Sequence, residues 1–124
     1  MPVKMQLLSS KIHKARITEC LLDYEGSLAI DLDLMDKIGL LPYERILVVN
    51  ITNGQRLETY AIPGPRGQRG FCLNGAAARR GATGDRITIM AFRWFSEEEA
   101  ARHAPRIIVL NEANVIEQRK GPVA

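Results

Sequence analysis

The chain has 124 residues, of which 46% are hydrophobic and 25% are charged, and its formal net charge is +3 at pH 7. This is the composition of an ordinary globular protein rather than a disordered one, and no apolar run approaches the roughly 20 residues that span a membrane. We therefore expect one domain covering residues 1–124, no membrane partner and a cytoplasmic location, with both cysteines reduced because two of them form no disulfide framework.

The first predicted strand is KIHKARITEC (11–20), which alternates imperfectly and carries β-branched residues. It places Lys11 and His13 on one face. The segment DLDLMDKIGL (31–40) predicts a short helix that Asp31 or Asp33 caps and Gly39 ends. Between the two lies YEGS (24–27), which is either a plain turn or a reactive bond.

The middle of the chain carries the clearest element, RILVVNITNGQRLETYAI (45–62). It predicts two strands joined across Asn53-Gly54, a strong hairpin signal. The next segment, PGPRGQRG (63–70), predicts a loop. FCLNGAAARRG (71–81) predicts a strand that enters a second Asn-Gly turn and one helical turn.

The last third begins with DRITIMAFRWF (85–95), which predicts another strand. Ser96 and Glu99 form a capping box for a second short helix, RIIVL (106–110) predicts a strand, and the final residues RKGPVA (119–124) are expected to fray. Strands dominate without regular strand-helix alternation, so a small, mainly β barrel with short helices is favoured.

The Gly26-Ser27 bond is the candidate for chemistry. The Ser27 hydroxyl can attack the carbonyl of Gly26 if the backbone is held in an unusual conformation, which glycine permits because it lacks a Cβ. The ester that results can eliminate to dehydroalanine, which hydrolyses to a pyruvoyl group with loss of ammonia. The chain would then make its own electrophilic ketone.

Four motifs, KIH (11–13), YEGS (24–27), TNGQRLETYAI (52–62) and NGAAA (74–78), occur in this order and together resemble the bacterial aspartate 1-decarboxylase family. The resemblance implies a double-psi β-barrel, a homotetramer with active sites between neighbouring subunits, and a precursor that cuts itself into residues 1–26 and 27–124. It also implies a covalent pyruvoyl group derived from Ser27 as the cofactor, and conversion of L-aspartate to β-alanine for pantothenate synthesis.

The same resemblance implies the residue roles. Ser27, as the pyruvoyl group, forms a Schiff base with the substrate amine, and Tyr60 returns a proton to Cα. The substrate-binding residues are Lys11, Arg56, Thr59, Gly75, Ala76 and Ala77. The processing residues are Tyr24, Gly26, Ser27, Thr59 and Asn74, and His13 is a further candidate participant.

One difficulty concerns Thr59 and Tyr60, because neighbours in a regular strand point to opposite faces. Either a bulge or twist re-aims one of them, or the two serve sites on different surfaces of an oligomer. No metal site is expected, since His13 and His103 are far apart in sequence and the cysteines lack ligand spacing.

Asp23 and Arg79 stand where family members often have histidine, which leaves open whether cleavage needs a maturation partner. One alternative is a basic β-barrel that binds nucleic acid through Arg66, Arg69, Arg79 and Arg80, with Gly26-Ser27 as a plain turn. A second alternative keeps the fold and leaves the chain uncut and inactive. The decarboxylase hypothesis requires no nucleic-acid partner.

Overall fold

The computed structural model describes residues 2–124. Within that range the chain forms nine β-strands, two α-helices and one 3₁₀ helix. In chain order these are β1 (Lys4–Arg16), β2 (Glu19–Leu21), β3 (Ser27–Asp31), α1 (Leu32–Ile38), β4 (Arg45–Asn50), β5 (Arg56–Gly64), β6 (Phe71–Asn74), the 3₁₀ helix (Gly75–Arg80), β7 (Arg86–Ser96), α2 (Glu97–Ala101), β8 (Arg106–Leu110) and β9 (Ile116–Lys120).

All nine strands belong to one sheet in the order β2-β6-β3-β5-β4-β7-β1-β8-β9. β1 lies inside this order, whereas β2, which follows it closely in the chain, forms an edge. The sheet therefore curls back on itself. Thr18, between these two strands, donates its backbone N–H to the carbonyl oxygen of Phe71 at 2.9 Å and so joins the edge to the interior.

The curled sheet encloses a core of aliphatic side chains together with Phe71. The largest fully buried side chains are Phe71, Ile12, Ile17, Leu28, Ile30, Met35, Ile38, Ile46, Leu73, Ile87, Ile89 and Ile108. Along β4 the buried residues alternate with more exposed ones, as expected for a strand with one face on a core. The predicted mainly β barrel with short helices is confirmed.

Both helices begin where the sequence predicts. The carboxylate of Asp31 accepts a hydrogen bond from the backbone N–H of Asp33 at 2.9 Å, and Gly39 ends α1 at φ 66°. Ser96 and Glu99 exchange the two hydrogen bonds of a capping box at the start of α2. These caps satisfy backbone groups that the helix cannot pair internally.

The predicted hairpin is also confirmed, although its connection is longer than a two-residue turn. β4 ends at Asn50 and β5 begins at Arg56. The buried side-chain oxygen of Asn50 accepts hydrogen bonds from the backbone N–H groups of Thr52 and Asn53, at 2.9 and 3.2 Å. Because Asn50 supplies these acceptors, the backbone leaves the ladder earlier than an Asn-Gly turn alone requires.

The prediction for the C-terminal residues is wrong. Arg119 and Lys120 belong to β9, which pairs antiparallel with β8. Beyond that strand, the backbone N–H of Ala124 donates to the carbonyl oxygen of Lys37 at 3.0 Å. The polar composition of RKGPVA hid this pairing, because β9 is an edge strand whose side chains are mostly exposed.

Two further observations bear on the predictions. Cys20 and Cys72 are both free thiols, as expected. Among residues 2–124 there is no helix with the length and apolar character needed to cross a membrane.

Candidate active site

Ser27 is the first residue of β3 and pairs with Asn74 at the end of β6. Both residues are buried, with exposed fractions of 1% and 2%. The Ser27 hydroxyl accepts a hydrogen bond from Asn74 Nδ2 at 3.1 Å, and it donates to the carbonyl oxygen of Glu25 at 3.4 Å. The structure thus brings the hydroxyl of the candidate bond into direct contact with one of the predicted processing residues.

Gly75 packs directly against the segment that precedes Ser27. Its φ is +65°, and a Cβ at this position would lie 2.5 Å from the carbonyl oxygen of Tyr24 and 2.6 Å from the backbone nitrogen of Gly26. Only glycine fits such an approach, because both the conformation and the contact exclude a side chain. The NGAAA motif is therefore seated on the YEGS motif.

Gly26 itself is exposed and faces open space. A Cβ built at this residue would meet no heavy atom within 4 Å. The bond between Gly26 and Ser27 thus joins an open, exposed residue to a buried one.

Thr59 and Tyr60 lie on opposite faces of β5. Thr59 pairs with buried Ile46, whereas Tyr60 pairs with exposed Arg45, and the β4–β5 register is unbroken from Val49 to Arg45. No bulge re-aims either side chain, which rules out the first of the two explanations from the sequence. Thr59 faces the core side of the strand and Tyr60 faces away from it.

Tyr60 also lies close to Ser27 in the sheet. β3 and β5 pair in parallel, beginning with Leu28 opposite Ala61. Ser27 and Tyr60 each precede that pair by one residue, so they occupy the next position of the same register. Since Leu28 and Ala61 are core residues, both Ser27 and Tyr60 point away from the core.

We call the outer face the side of strands β1, β7, β4, β5, β3 and β6 that is turned away from the core. Pairing of Lys11 with Met90, and of Met90 with Leu47, places Lys11 on it. The imidazole of His13 bonds Thr88 Oγ1 at 2.9 Å on the same face. Arg56 lies there as well, because it alternates with Tyr60 along β5.

Although they share the outer face, these residues do not all meet. Four strand spacings separate Lys11 on β1 from Ser27 on β3, a path on the order of 19 Å along the curved sheet. The contacts within the site join Ser27 to Asn74 and Gly75 to Gly26, and Tyr60 lies one register position from the Leu28–Ala61 pair. Among residues 2–124 no side-chain hydrogen bond or ion pair joins Lys11 or His13 to these residues.

Two of the predicted substrate-binding residues are unpaired cations. Lys11 and Arg56 make no ion pair and no side-chain hydrogen bond with any other residue in the range 2–124. By contrast, the exposed cation Arg45 pairs with Glu58, and Arg93 pairs with Glu44 at 2.8 Å. Lys11 and Arg56 are thus available to an anionic ligand.

His13 is surrounded by positive charge. Partial burial, followed by the neighbouring cations Lys11, Lys14, Arg86 and Lys120, lowers the pKa of His13 below its ordinary value of 6.5. The imidazole is therefore neutral at pH 7.

The remaining predicted residues surround the bond more loosely. Tyr24 is 61% exposed. In the 3₁₀ helix Ala76 is exposed, whereas Ala77 is half-buried against the core. Gly75, which begins this helix next to Gly26, is buried.

The arginines of the nucleic-acid alternative are not all free. Arg66 forms ion pairs with Asp33 and Asp36, both at 2.7 Å, and Arg80 donates to Gln55 Oε1 at 2.6 Å. Of the four arginines in that alternative, Arg66 is therefore paired with carboxylates, whereas Arg80 keeps its full charge. Within the described part of the chain, no group of three His, Cys, Asp or Glu residues is arranged to hold a metal ion.

The sequence prediction missed one residue that contacts the site. Cys72 lies two positions before Asn74 on β6, and its Sγ lies 3.1 Å from Asn74 Oδ1. The available signal was the period of two in a strand, which puts residues 72 and 74 on one face.

Comparison with known proteins identifies the family. The family profile described as "Aspartate decarboxylase" matches residues 3–117. Aspartate 1-decarboxylase of Bacillus subtilis (strain 168) is 50% identical over 115 residues, which is 93% of this chain and 91% of that protein. The enzymes of that name from Syntrophobacter fumaroxidans and Dehalococcoides mccartyi (strain ATCC BAA-2266) are 55% identical over 87% of both chains and 48% identical over 95% of both. The profile and these relatives cover nearly the whole barrel, and the chain belongs to the aspartate decarboxylase family.

Proposed function

We propose that this protein decarboxylates L-aspartate to β-alanine and carbon dioxide with a pyruvoyl group made from Ser27, and that the product serves pantothenate synthesis. The observation that carries the proposal is the buried Ser27 hydroxyl, held by Asn74 next to the open Gly26, in a chain of this family. The chain uses its own residues, first to cut itself and then to bind and protonate the substrate.

Self-cleavage begins with the Ser27 hydroxyl. Its oxygen attacks the carbonyl carbon of Gly26, the C–N bond breaks, and the proton of the hydroxyl ends on the freed amine. Loss of the Cα proton then breaks the ester, which releases the Gly26 carboxylate and leaves dehydroalanine. One water enters and one ammonia leaves, giving chains of residues 1–26 and 27–124.

The residues present fit a pyruvoyl group at position 27. The position is buried, which protects a reactive ketone from water, and Asn74 Nδ2 can donate to an oxygen there. Such a ketone would supply an electrophile for the substrate amine and an electron sink for loss of the carboxylate. No metal is needed for this chemistry.

The two carboxylates of aspartate require cations. Arg56 can grip a carboxylate with two parallel hydrogen bonds, and Lys11 contributes a point charge. Both are free of partners within residues 2–124, which supports this role. Tyr60, on the outer face of β5, is the proton donor to Cα, and Gly75, Ala76 and Ala77 contact the substrate through their backbone.

We assign Thr59 to stabilising the oxygen of Gly26 during cleavage, as an oxyanion donor. Its position on the core side of β5, opposite Tyr60, supports a separation of processing from substrate protonation. The substrate-binding role that the resemblance implies for Thr59 does not fit this position within one chain, because Tyr60 and Arg56 lie on the opposite face of β5. Tyr24 lines the cleavage region. His13 lies near Lys11 and, being neutral, adds no further positive charge there.

We further propose that the active enzyme is a homotetramer. Lys11 lies on β1, four strands from Ser27 in the order of the sheet, and makes no hydrogen bond with it within residues 2–124, which supports a site in which Lys11 comes from a neighbouring subunit. The outer face also exposes large apolar side chains, with Phe92 39% and Trp94 65% exposed. An apolar surface of this kind is typical of a subunit interface.

Intact mass under denaturing conditions tests the proposal. We expect a chain of residues 1–26 and a chain of residues 27–124, the larger one lighter than its serine-initiated form by the mass of one ammonia. The Ser27→Ala variant should remain a single chain. Tyr60→Phe should be cut normally yet form β-alanine from aspartate far more slowly.

A wild-type chain that stays whole after long warm incubation, alone and with extract of its host, would overturn self-cleavage. If such a chain also bound DNA in a salt-dependent way, the nucleic-acid alternative would replace this proposal. Cleavage only in the presence of extract would identify a maturation partner.

A further inference from the structure

The side chain of Asn74 is held at both ends. Its Nδ2 lies 3.1 Å from Ser27 Oγ, and its Oδ1 lies 3.1 Å from Cys72 Sγ. β6 places Cys72 and Asn74 on the outer face, opposite Ala29 and Ser27 of β3. The three side chains therefore form a row that runs from the thiol through the amide to the hydroxyl.

The order of atoms in this row matters because an amide is asymmetric. The nitrogen end of Asn74 only donates and the oxygen end only accepts. A protonated thiol offers a hydrogen to Oδ1, which leaves Nδ2 directed at Ser27. The reversed amide would direct an N–H at sulfur, which is a weak acceptor.

The surroundings of Cys72 keep its proton in place. Burial raises the pKa of the Cys72 thiol, and the nearby Glu19 and Cys20 raise it further. The thiol is therefore protonated at neutral pH and can donate. Among residues 2–124, no buried side-chain nitrogen or oxygen lacks a hydrogen-bond partner, so Cys72 and Ser27 together satisfy the buried amide.

We propose that Cys72 is a positioning residue for cleavage of the Gly26-Ser27 bond. Its S–H bond to Asn74 Oδ1 fixes the amide, and the fixed amide holds the Ser27 hydroxyl in the orientation from which it attacks Gly26. The role rests on the proposed function, since it concerns the same hydroxyl. Cys72 itself neither touches the substrate nor enters the reaction.

The proposed role depends on restricting the Ser27 side chain to one rotamer. A serine side chain has three staggered rotamers, and attack on the preceding carbonyl needs one of them. Holding reacting atoms in a productive geometry accelerates an intramolecular step. An amide free to reverse would instead accept from the Ser27 hydroxyl and turn its proton toward Asn74.

The chain offers a matched pair of thiols for the test. The rate at which residues 1–26 and 27–124 appear is followed by denaturing mass spectrometry for wild type, Cys72→Ala, Cys72→Ser and Cys20→Ala. Losing one neutral hydrogen bond that orients the reacting group predicts cleavage slower by on the order of tenfold in Cys72→Ala. Cys72→Ser keeps a hydrogen-bond donor, and Cys20→Ala leaves the hydrogen bonds of Cys72, Asn74 and Ser27 unchanged. Both variants should be cleaved at a rate within about twofold of wild type.

A spectroscopic measurement reports on the hydrogen bond without requiring cleavage. The Cys20→Ala chain has one thiol left, so its infrared S–H stretching band belongs to Cys72. Donation to Asn74 predicts a band at lower wavenumber in Cys20→Ala than in the Cys20→Ala, Asn74→Ala double variant. An unchanged band would overturn the hydrogen bond itself.

The outcomes separate the two proposals. If wild type is cut and Cys72→Ala is cut equally fast, the positioning role is wrong and the proposed function stands. Equal slowing in Cys72→Ala and Cys72→Ser would assign the effect to packing and would also overturn the hydrogen-bond role. A wild-type chain that is never cut would overturn the proposed function, and the role of Cys72 with it.

Discussion

The Gly75→Ala substitution tests whether the seating of NGAAA on YEGS positions the reactive bond. The added Cβ would lie 2.5 Å from the carbonyl oxygen of Tyr24, and 2.6 and 2.8 Å from the nitrogen and Cα of Gly26. All three are backbone atoms, so no side-chain rotation relieves the overlap. The positive φ of +65° adds strain of about 1–2 kcal/mol for a residue with a Cβ.

Gly54→Ala is the matched control because Gly54 also has a positive φ, +78°, but a Cβ there meets no heavy atom within 4 Å. In the control, the backbone strain should lower the free energy of unfolding by about 1–2 kcal/mol. In Gly75→Ala the overlap should lower it by roughly a further 1–3 kcal/mol. The difference between the two variants isolates the contact with Gly26.

Equilibrium urea unfolding of both variants measures the loss, in a Ser27→Ala background that keeps the chain uncut and at one protein concentration. The same Gly75→Ala change in a chain that retains Ser27 should slow cleavage, because relief of the overlap must displace residues 24–26. Equal free energies of unfolding for Gly54→Ala and Gly75→Ala, together with a wild-type cleavage rate, would refute the reasoning.

Two other predictions concern stability. The pKa of His13 is lowered from 6.5 in the folded chain, so the unfolded chain binds a proton at this residue more readily. The stability that neutral His13 contributes is therefore present above about pH 6.5 and is lost as pH falls through the lowered pKa. His13→Gln should therefore lose less stability than wild type between about pH 7 and 5 in urea titrations, and parallel curves would contradict this. The buried Asp31 carboxylate accepts from three backbone N–H groups, including those of Gly67 and Arg69 at 3.1 and 2.7 Å, so Asp31→Ala should cost about 2–4 kcal/mol. Asp36→Ala, which removes an exposed ion pair, should cost less than about 1 kcal/mol, and similar losses for the two would show that the buried carboxylate is not special.

Local signals in the sequence were sufficient for most of the fold. Caps at Asp31, Gly39 and Ser96 fixed both α-helices, and Asn53-Gly54 located the hairpin, because each of these motifs satisfies backbone groups within a few residues. β9 was missed because its side chains are mostly polar and exposed, although it pairs with the neighbouring β8 in a local hairpin. The parallel pairing of β3 with β5 likewise depends on long-range topology, which no local pattern encodes.

The candidate site residues come from motifs in the sequence, whereas the geometry that joins them does not. A motif names Ser27 and Asn74 without saying that the amide of one faces the hydroxyl of the other. Cys72 escaped attention because thiols in small domains are usually inert core residues, and only the strand pairing reveals that it faces outward beside Asn74. Hydrogen bonds between strands are set by register, and register follows from the assembled sheet.

The separate roles proposed for Thr59 in processing and for Tyr60 in substrate protonation follow from the alternation of side chains along β5. A strand turns successive side chains to opposite faces, so Thr59 and Tyr60 cannot serve the same surface in a regular ladder. Ser27 is on the Tyr60 side, and so are Lys11 and Arg56, although Lys11 lies four strands away from Ser27. In the homotetramer that we propose, a second chain supplies Lys11 to the serine from its own outer face. Trp94 is the most exposed large apolar side chain of β7, and we infer that it lies in that interface. Trp94→Arg should then abolish decarboxylation and association together while leaving cleavage at Gly26 intact.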